Sequence, residues 1–134
     1  MIDFNKYGEF VKSTTSDESL DTYKFMERVL YLRKNHRVEV AQLATASIGM
    51  QAESGEFAEV VKKKVFQADS KFSDDEIFHM KRELGDVLWY WVQGCSALGF
   101  TPEEVMQENI NKLEKRYPNG FEVIRSEVRE QGDI

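Results

Sequence analysis

The chain has 134 residues, 41% hydrophobic and 31% charged, which suits one soluble domain with one modest core and excludes a disordered or fibrous protein. A formal net charge of −6 leaves no overall positive field for duplex nucleic acid or an anionic membrane, although a small anion met by bound metal ions stays compatible. Cys95 is the only cysteine, no signal-peptide pattern opens the chain, and the longest apolar run, 87–92, is far short of the roughly 20 residues that span a bilayer, so the expected location is cytoplasmic.

Proline occurs only at Pro102 and Pro118, and most glycines are isolated, which leaves long stretches free for helix. An all-α fold in a single unit, 1–134, follows, without internal repeat or linker. Residues 4–12 predict a short helix, broken by Ser13-Thr14-Thr15-Ser16. Asp17 or Ser19 is placed to cap the next helix, where Tyr23, Met26, Val29 and Leu30 recur at helical spacing before basic residues gather at 33–37. That element is expected at the periphery. Residues 38–66 form the longest periodic run, with Leu43, Met50, Phe57 and Val61 on one side and Glu53, Glu56 and Lys63 on another.

Residues 67–73 are turn-like, and Ser73 with Glu76 three positions on forms a capping-box start. An apolar stripe follows through Ile77, Met80, Leu84, Val87, Leu88, Trp91, Cys95 and Leu98, flanked by Glu83, Asp86 and Tyr90. Cys95 lies within it as an inert buried thiol. Gly99 suits the C-terminal cap, and Thr101-Pro102-Glu103-Glu104 opens a last long helix toward Tyr117. Pro118-Asn119-Gly120 is a turn, after which 121–134 form a charged tail with a further helical stretch.

Chemistry enters with two acidic pairs, Glu53 with Glu56 and Glu83 with Asp86, each three residues apart and so on one helix face. Taken singly, such a pair is an ordinary solvated surface. Here the residues four positions on are Phe57, Val60, Val87 and Tyr90, so no lysine or arginine compensates the acids. Each pair also encloses a glycine, Gly55 and Gly85, whose helix-breaking cost of about 1 kcal/mol close helix approach would justify. If the two helices pack together, the four carboxylates converge and a cation must neutralise them. Hard oxygen donors suit Mg2+, with Mn2+ as substitute, and Mg2+ takes further ligands from phosphates. Neither His36 nor His79 has a second histidine or cysteine at ligand spacing, which argues against zinc and makes both surface residues. A di-iron bundle needs Glu-x-x-His on each of two helices, and the chain has no such pair of motifs.

The pattern Glu53-x-x-Glu56, then 26 residues, then Glu83-x-x-Asp86 resembles that of the MazG-type all-α nucleoside triphosphate pyrophosphohydrolases. The neighbouring Gly49-Met50-Gln51-Ala52, Val61-Lys62-Lys63 and Val87-Leu88-Trp89-Tyr90 agree with it, as does a third block through Asn109, Lys112, Leu113 and Arg116-Tyr117-Pro118-Asn119-Gly120-Phe121. The similarity covers residues 40–121 and leaves 17–37 as an added helix. Ala52 stands where many relatives carry a further carboxylate.

The resemblance implies a helical bundle with a four-helix core, forming a homodimer or homotetramer, with Trp89, Phe57 and Phe66 as interface candidates. It implies hydrolysis of a (d)NTP to the monophosphate and pyrophosphate. Glu53, Glu56, Glu83 and Asp86 would hold metal ions, and Glu56 would be the general base. Lys63 would meet the outer phosphates, while Asn109, Lys112, Arg116 and Tyr117 would lie beside the nucleotide, Tyr117 or a tryptophan stacking on the base. Glu59 is an outer partner or a surface charge. The alternative is a non-catalytic helical module that senses nucleotides or binds a partner.

Overall fold

Local capping chemistry sets most of the helix boundaries in the computed structural model, which describes residues 3–69 and 71–128. Helix α1, Phe4–Thr14, is capped by the Asp3 carboxylate, and its last turn is tightened by the Ser13 and Thr14 hydroxyls donating to carbonyls one turn back. Those hydroxyls keep residues 13 and 14 helical, so the break falls later than the Ser13 start expected from composition. A single turn, α2 (Asp17–Leu20), precedes α3 (Thr22–Asn35). The cap of α3 is Asp21, which accepts from the amides of Tyr23 and Lys24 at 2.8 and 3.0 Å. Asp17 and Ser19 instead belong to α2, so the expected single helix is divided.

The long helices are α4, Val40–Phe66, and α5, Asp74–Leu98. The α5 start is the expected capping box: the Ser73 hydroxyl accepts from the Glu76 amide and the Glu76 carboxylate accepts from the Ser73 amide at 2.8 Å. Gly99 ends α5 with φ of 80°, in the left-handed region that glycine enters without strain. Helix α6, Pro102–Arg116, has the second capping box, through Thr101 and Glu104. A turn follows, with the Gly120 amide donating to the Tyr117 carbonyl, and then the short α7, Val123–Glu127. The remainder of the expected tail helix, 129–134, lies outside the described residues.

Helices α4 and α5 pack antiparallel along most of their length, with α3 on α4 and α6 on α5. The register can be followed pair by pair. The Glu39 amide donates to the Ala97 carbonyl at 2.9 Å, Ala46 meets Gly94, Gly49 meets Tyr90, and Lys64 Nζ bonds Glu76 at 3.0 Å. The covered positions of α4 include 46, 50, 53, 57, 60 and 64, and those of α5 include 80, 83, 87, 90, 94 and 97. Both sets alternate steps of three and four, the seam of a coiled-coil pair.

That seam corrects two expectations. Glu83 does not flank the apolar stripe of α5; it stands in it, between Met80 and Val87, while Ile77, Leu84 and Leu88 turn outward. The apolar residues of α5 thus occupy two faces, and the stripe read from sequence merged them. Gly55 and Gly85, expected at a close approach, have open space around them. The approach falls at Gly49, which faces the Tyr90 ring with no room for a Cβ, and more loosely at Gly94, where an added Cβ would sit 3.7 Å from that of Ala46.

Gly49→Ala tests this packing. Overpacking against Tyr90 costs about 1–3 kcal/mol, more than the roughly 1 kcal/mol that alanine gains in a helix. A net loss of up to about 2 kcal/mol in urea unfolding is expected. In a Tyr90→Ala background the obstacle is gone, and the same substitution should stabilise by up to about 1 kcal/mol.

Candidate metal centre

The seam positions of Glu53 and Glu83 bring opposite helices' carboxylates together at mid-length of the α4–α5 pair. Ligand atoms of Glu53, Glu83 and Asp86 all lie within 4.8 Å of one another, and so do those of Glu56, His79 and Glu83. Glu83 is common to both groups and is only 6% exposed, whereas Glu56 and Asp86 are open to solvent and Glu53 is half-buried. The two acidic pairs therefore meet across the helix interface, with a buried carboxylate at the centre.

A hydrogen bond to the Glu83 carboxyl holds the Glu53 carboxyl above its usual 4.5, helped by desolvation and by the charges of Glu56, Glu83 and Asp86. A carboxyl pair so arranged shares a proton or holds a cation. The donor set itself fits a divalent ion: hard oxygens from two rigid helices, one of them buried, with open space beside them. The sign of the pH effect follows. The folded, metal-free protein retains a proton on Glu53 above pH 4.5, and its stability falls as pH rises through the elevated value. Binding of Mg2+ just above the usual carboxylate range should therefore release protons, up to about one per chain, and tighten as pH increases. Calorimetry in buffers of different ionisation enthalpy reads this directly, and Glu53→Gln should abolish the release.

Beside the acids a cleft of about 480 Å³ is lined by Ala52, Gly55, Glu56, Lys63, Glu76 and His79, among others. Lys63 stands on its wall, with Nζ 3.3 Å from Glu59. Glu59 also bonds Lys62, which with Lys63 holds its carboxyl below the usual 4.5. Glu76 is occupied elsewhere: the Ser73 amide and Lys64 draw its carboxyl down to about 2. Although Glu76 and His79 form one Glu-x-x-His motif, the glutamate is committed to capping α5.

The α6 residues are placed differently. Asn109 and Lys112 are exposed, Arg116 lies over the Tyr117 ring at 5.9 Å, and Tyr117 tilts against Phe121 at 5.4 Å. These four are not among the residues that line the cleft, and α6 rests on α5. His79 is the residue that sequence reasoning passed over. Its Nδ1 lies 3.1 Å from Glu83 Oε1. The available signal was its position four residues before Glu83, on the same helix face; the search for a second histidine or cysteine hid it.

An all-helical fold among the described residues, whose central pair carries converging carboxylates beside an open cleft, defines a helical protein with a candidate site for a divalent cation. A family model for the MazG nucleotide pyrophosphohydrolase domain matches residues 43–121, and the chain belongs to that family. It is 35% identical over 78 residues to the Gene 37 protein of Mycobacterium phage L5, an alignment covering 58% of this chain and 68% of the phage protein. No solved structure matches it significantly. The matched span contains α4, α5 and α6 up to the turn after Tyr117, and leaves α1, α2 and α3 outside.

Proposed function

We propose that this protein is a metal-dependent nucleotide pyrophosphohydrolase that converts a (d)NTP and water to the (d)NMP and pyrophosphate, acting in the cytoplasm to clean or adjust a nucleotide pool. The observation that carries the reading is the pair of overlapping ligand groups joined at Glu83. Residues 1–134 act as one domain. Glu53, Glu56, Glu83 and Asp86 hold Mg2+, with Mn2+ as substitute. When bound, the ion supplies charge neutralisation and orientation for the phosphates.

The residues' own work is positioning and proton transfer. Glu56, exposed at the mouth of the cleft, accepts the proton of the water that opens the α–β phosphoanhydride bond. Lys63, on the cleft wall, exchanges Glu59 for the outer phosphates of the substrate. Asn109, Lys112, Arg116 and Tyr117 reach the nucleoside from α6, which requires that helix or a second copy to close over the cleft. Transmembrane placement is not part of this reading: among the described residues no helix is long and apolar enough to cross a membrane.

A homodimer or homotetramer is the working form. Trp89 and Phe66 are exposed large apolar residues, as an interface requires, while Phe57 is half-buried within a single chain. The test is incubation with each ribo- and deoxy-triphosphate plus Mg2+, followed by product analysis. Pyrophosphate and monophosphate are expected, with release lost in Glu56→Gln and Asp86→Asn. Release untouched by both substitutions, or orthophosphate as sole product, would reject the site.

A further inference from the structure

We propose that His79 is itself a metal ligand, so that Glu56, His79 and Glu83 form a mixed nitrogen–oxygen position that takes a first-row transition ion. The position lies beside the all-carboxylate group of Glu53, Glu83 and Asp86, with Glu83 serving both. This deepens the proposed function and rests on its acidic centre.

Three observations support it. The ring nitrogen nearest the centre is Nδ1, 3.1 Å from Glu83 Oε1, and the ligand atoms of Glu56, His79 and Glu83 lie within 4.8 Å of one another. Glu83 is nine-tenths buried, and its ligand atom lies close to a second carboxylate and this imidazole, an arrangement into which a divalent cation fits. The ring is 47% exposed and lines the cleft with Glu56, so the position is reachable from solvent. Imidazole favours the later first-row ions, whereas carboxylates alone suit Mg2+. The two positions therefore differ in selectivity: Mg2+ and Mn2+ enter the carboxylate group, and Co2+, Ni2+ or Cu2+ is preferred where His79 contributes.

Two histidines are present in the whole chain, His36 and His79, so isotope labelling of histidine is clean. The full chain is loaded with Cu2+ alone and examined by pulsed electron paramagnetic resonance. Nitrogen modulation from a directly bound imidazole is expected, converting to the 15N pattern on 15N-histidine labelling, retained in His36→Gln and absent in His79→Gln. Cu2+ affinity should fall by about tenfold or more in His79→Gln, with Mg2+ affinity changing by less than about threefold.

Bound Cu2+ without nitrogen coupling in the unsubstituted protein would overturn the inference, and that measurement needs no variant to fold. Pyrophosphate release in Mg2+ together with no nitrogen coupling removes the imidazole ligand and keeps the hydrolase. Nitrogen coupling with no release on any triphosphate keeps the ligand and removes the hydrolase.

Discussion

Replacing Glu83 with glutamine is expected to cut pyrophosphate release by about 10³-fold or more and, in the same protein without metal, to raise the thermal midpoint. The two effects have one cause. Glu83 is the carboxylate shared by both ligand groups, so its loss empties each of them of a charged donor. It also stands buried in the α4–α5 seam against Glu53, and the hydrogen bond between the two carboxyls, which holds that of Glu53 above its usual range, needs a proton. A glutamine amide donates to Glu53 without needing that proton, which removes the repulsion from the metal-free fold. The unsubstituted protein should gain stability on adding Mg2+ in proportion to occupancy, and Glu83→Gln should lose most of that gain. Calorimetry with chelator and with Mg2+, beside the product assay, checks both. A variant that keeps activity, or that is less stable than its parent in chelator, would show that Glu83 is a structural acid instead.

How much of this was legible in the sequence depends on the range of the physics involved. Capping is local, and Ser73 with Glu76, Gly99, and Thr101 with Glu104 all stand where short-range chemistry puts them. Where two local signals compete, the sequence misleads: Asp17, Ser19 and Asp21 are all credible caps, and only the intervening turn of α2 selects Asp21 for α3. Helix faces are harder still. The apolar residues of α5 exceed what one seam accommodates, and the excess at Ile77, Leu84 and Leu88 masked the fact that Glu83 shares the seam. The acids at 53, 56, 83 and 86 were visible as i, i+3 pairs, but their convergence depends on the register of two helices, fixed by the fit of Tyr90 against Gly49. Family membership confirms the helical class and the kind of protein; the residue roles rest on this geometry. His79 was hard to read for a different reason, since a single Glu-x-x-His and the four-residue spacing to Glu83 are weak signals without a second histidine or cysteine.

The second large effect concerns the faces that α5 turns away from α4. Leu84 and Leu88 are each 57% exposed and Trp89 is 59% exposed, while the buried hydrophobic residues among those described are Ala46, Cys95 and Ala97. These three side chains, with a seam whose larger residues such as Met50, Phe57 and Trp91 are only half-buried, leave the large outward side chains of α5 in water, where each forgoes about 1.5–3 kcal/mol. In the proposed oligomer a second copy would cover the outward face of α5 and make up the difference, and association would then be part of folding rather than a later step. Leu84→Asp with Leu88→Asp is accordingly expected to abolish the cooperative thermal transition and most of the helical circular dichroism, instead of yielding a stable monomer. The unsubstituted protein should show a midpoint that climbs with protein concentration and a sedimentation coefficient of a dimer or larger. The acids and His79 are left in place by this double substitution, so Mn2+ binding separates folding from ligand chemistry: a chain that cannot fold should not assemble the centre from two helices. A monomeric double variant that unfolds cooperatively at the parental midpoint would mean that these leucines remain in water in the native protein, and that the α4–α5 seam suffices alone.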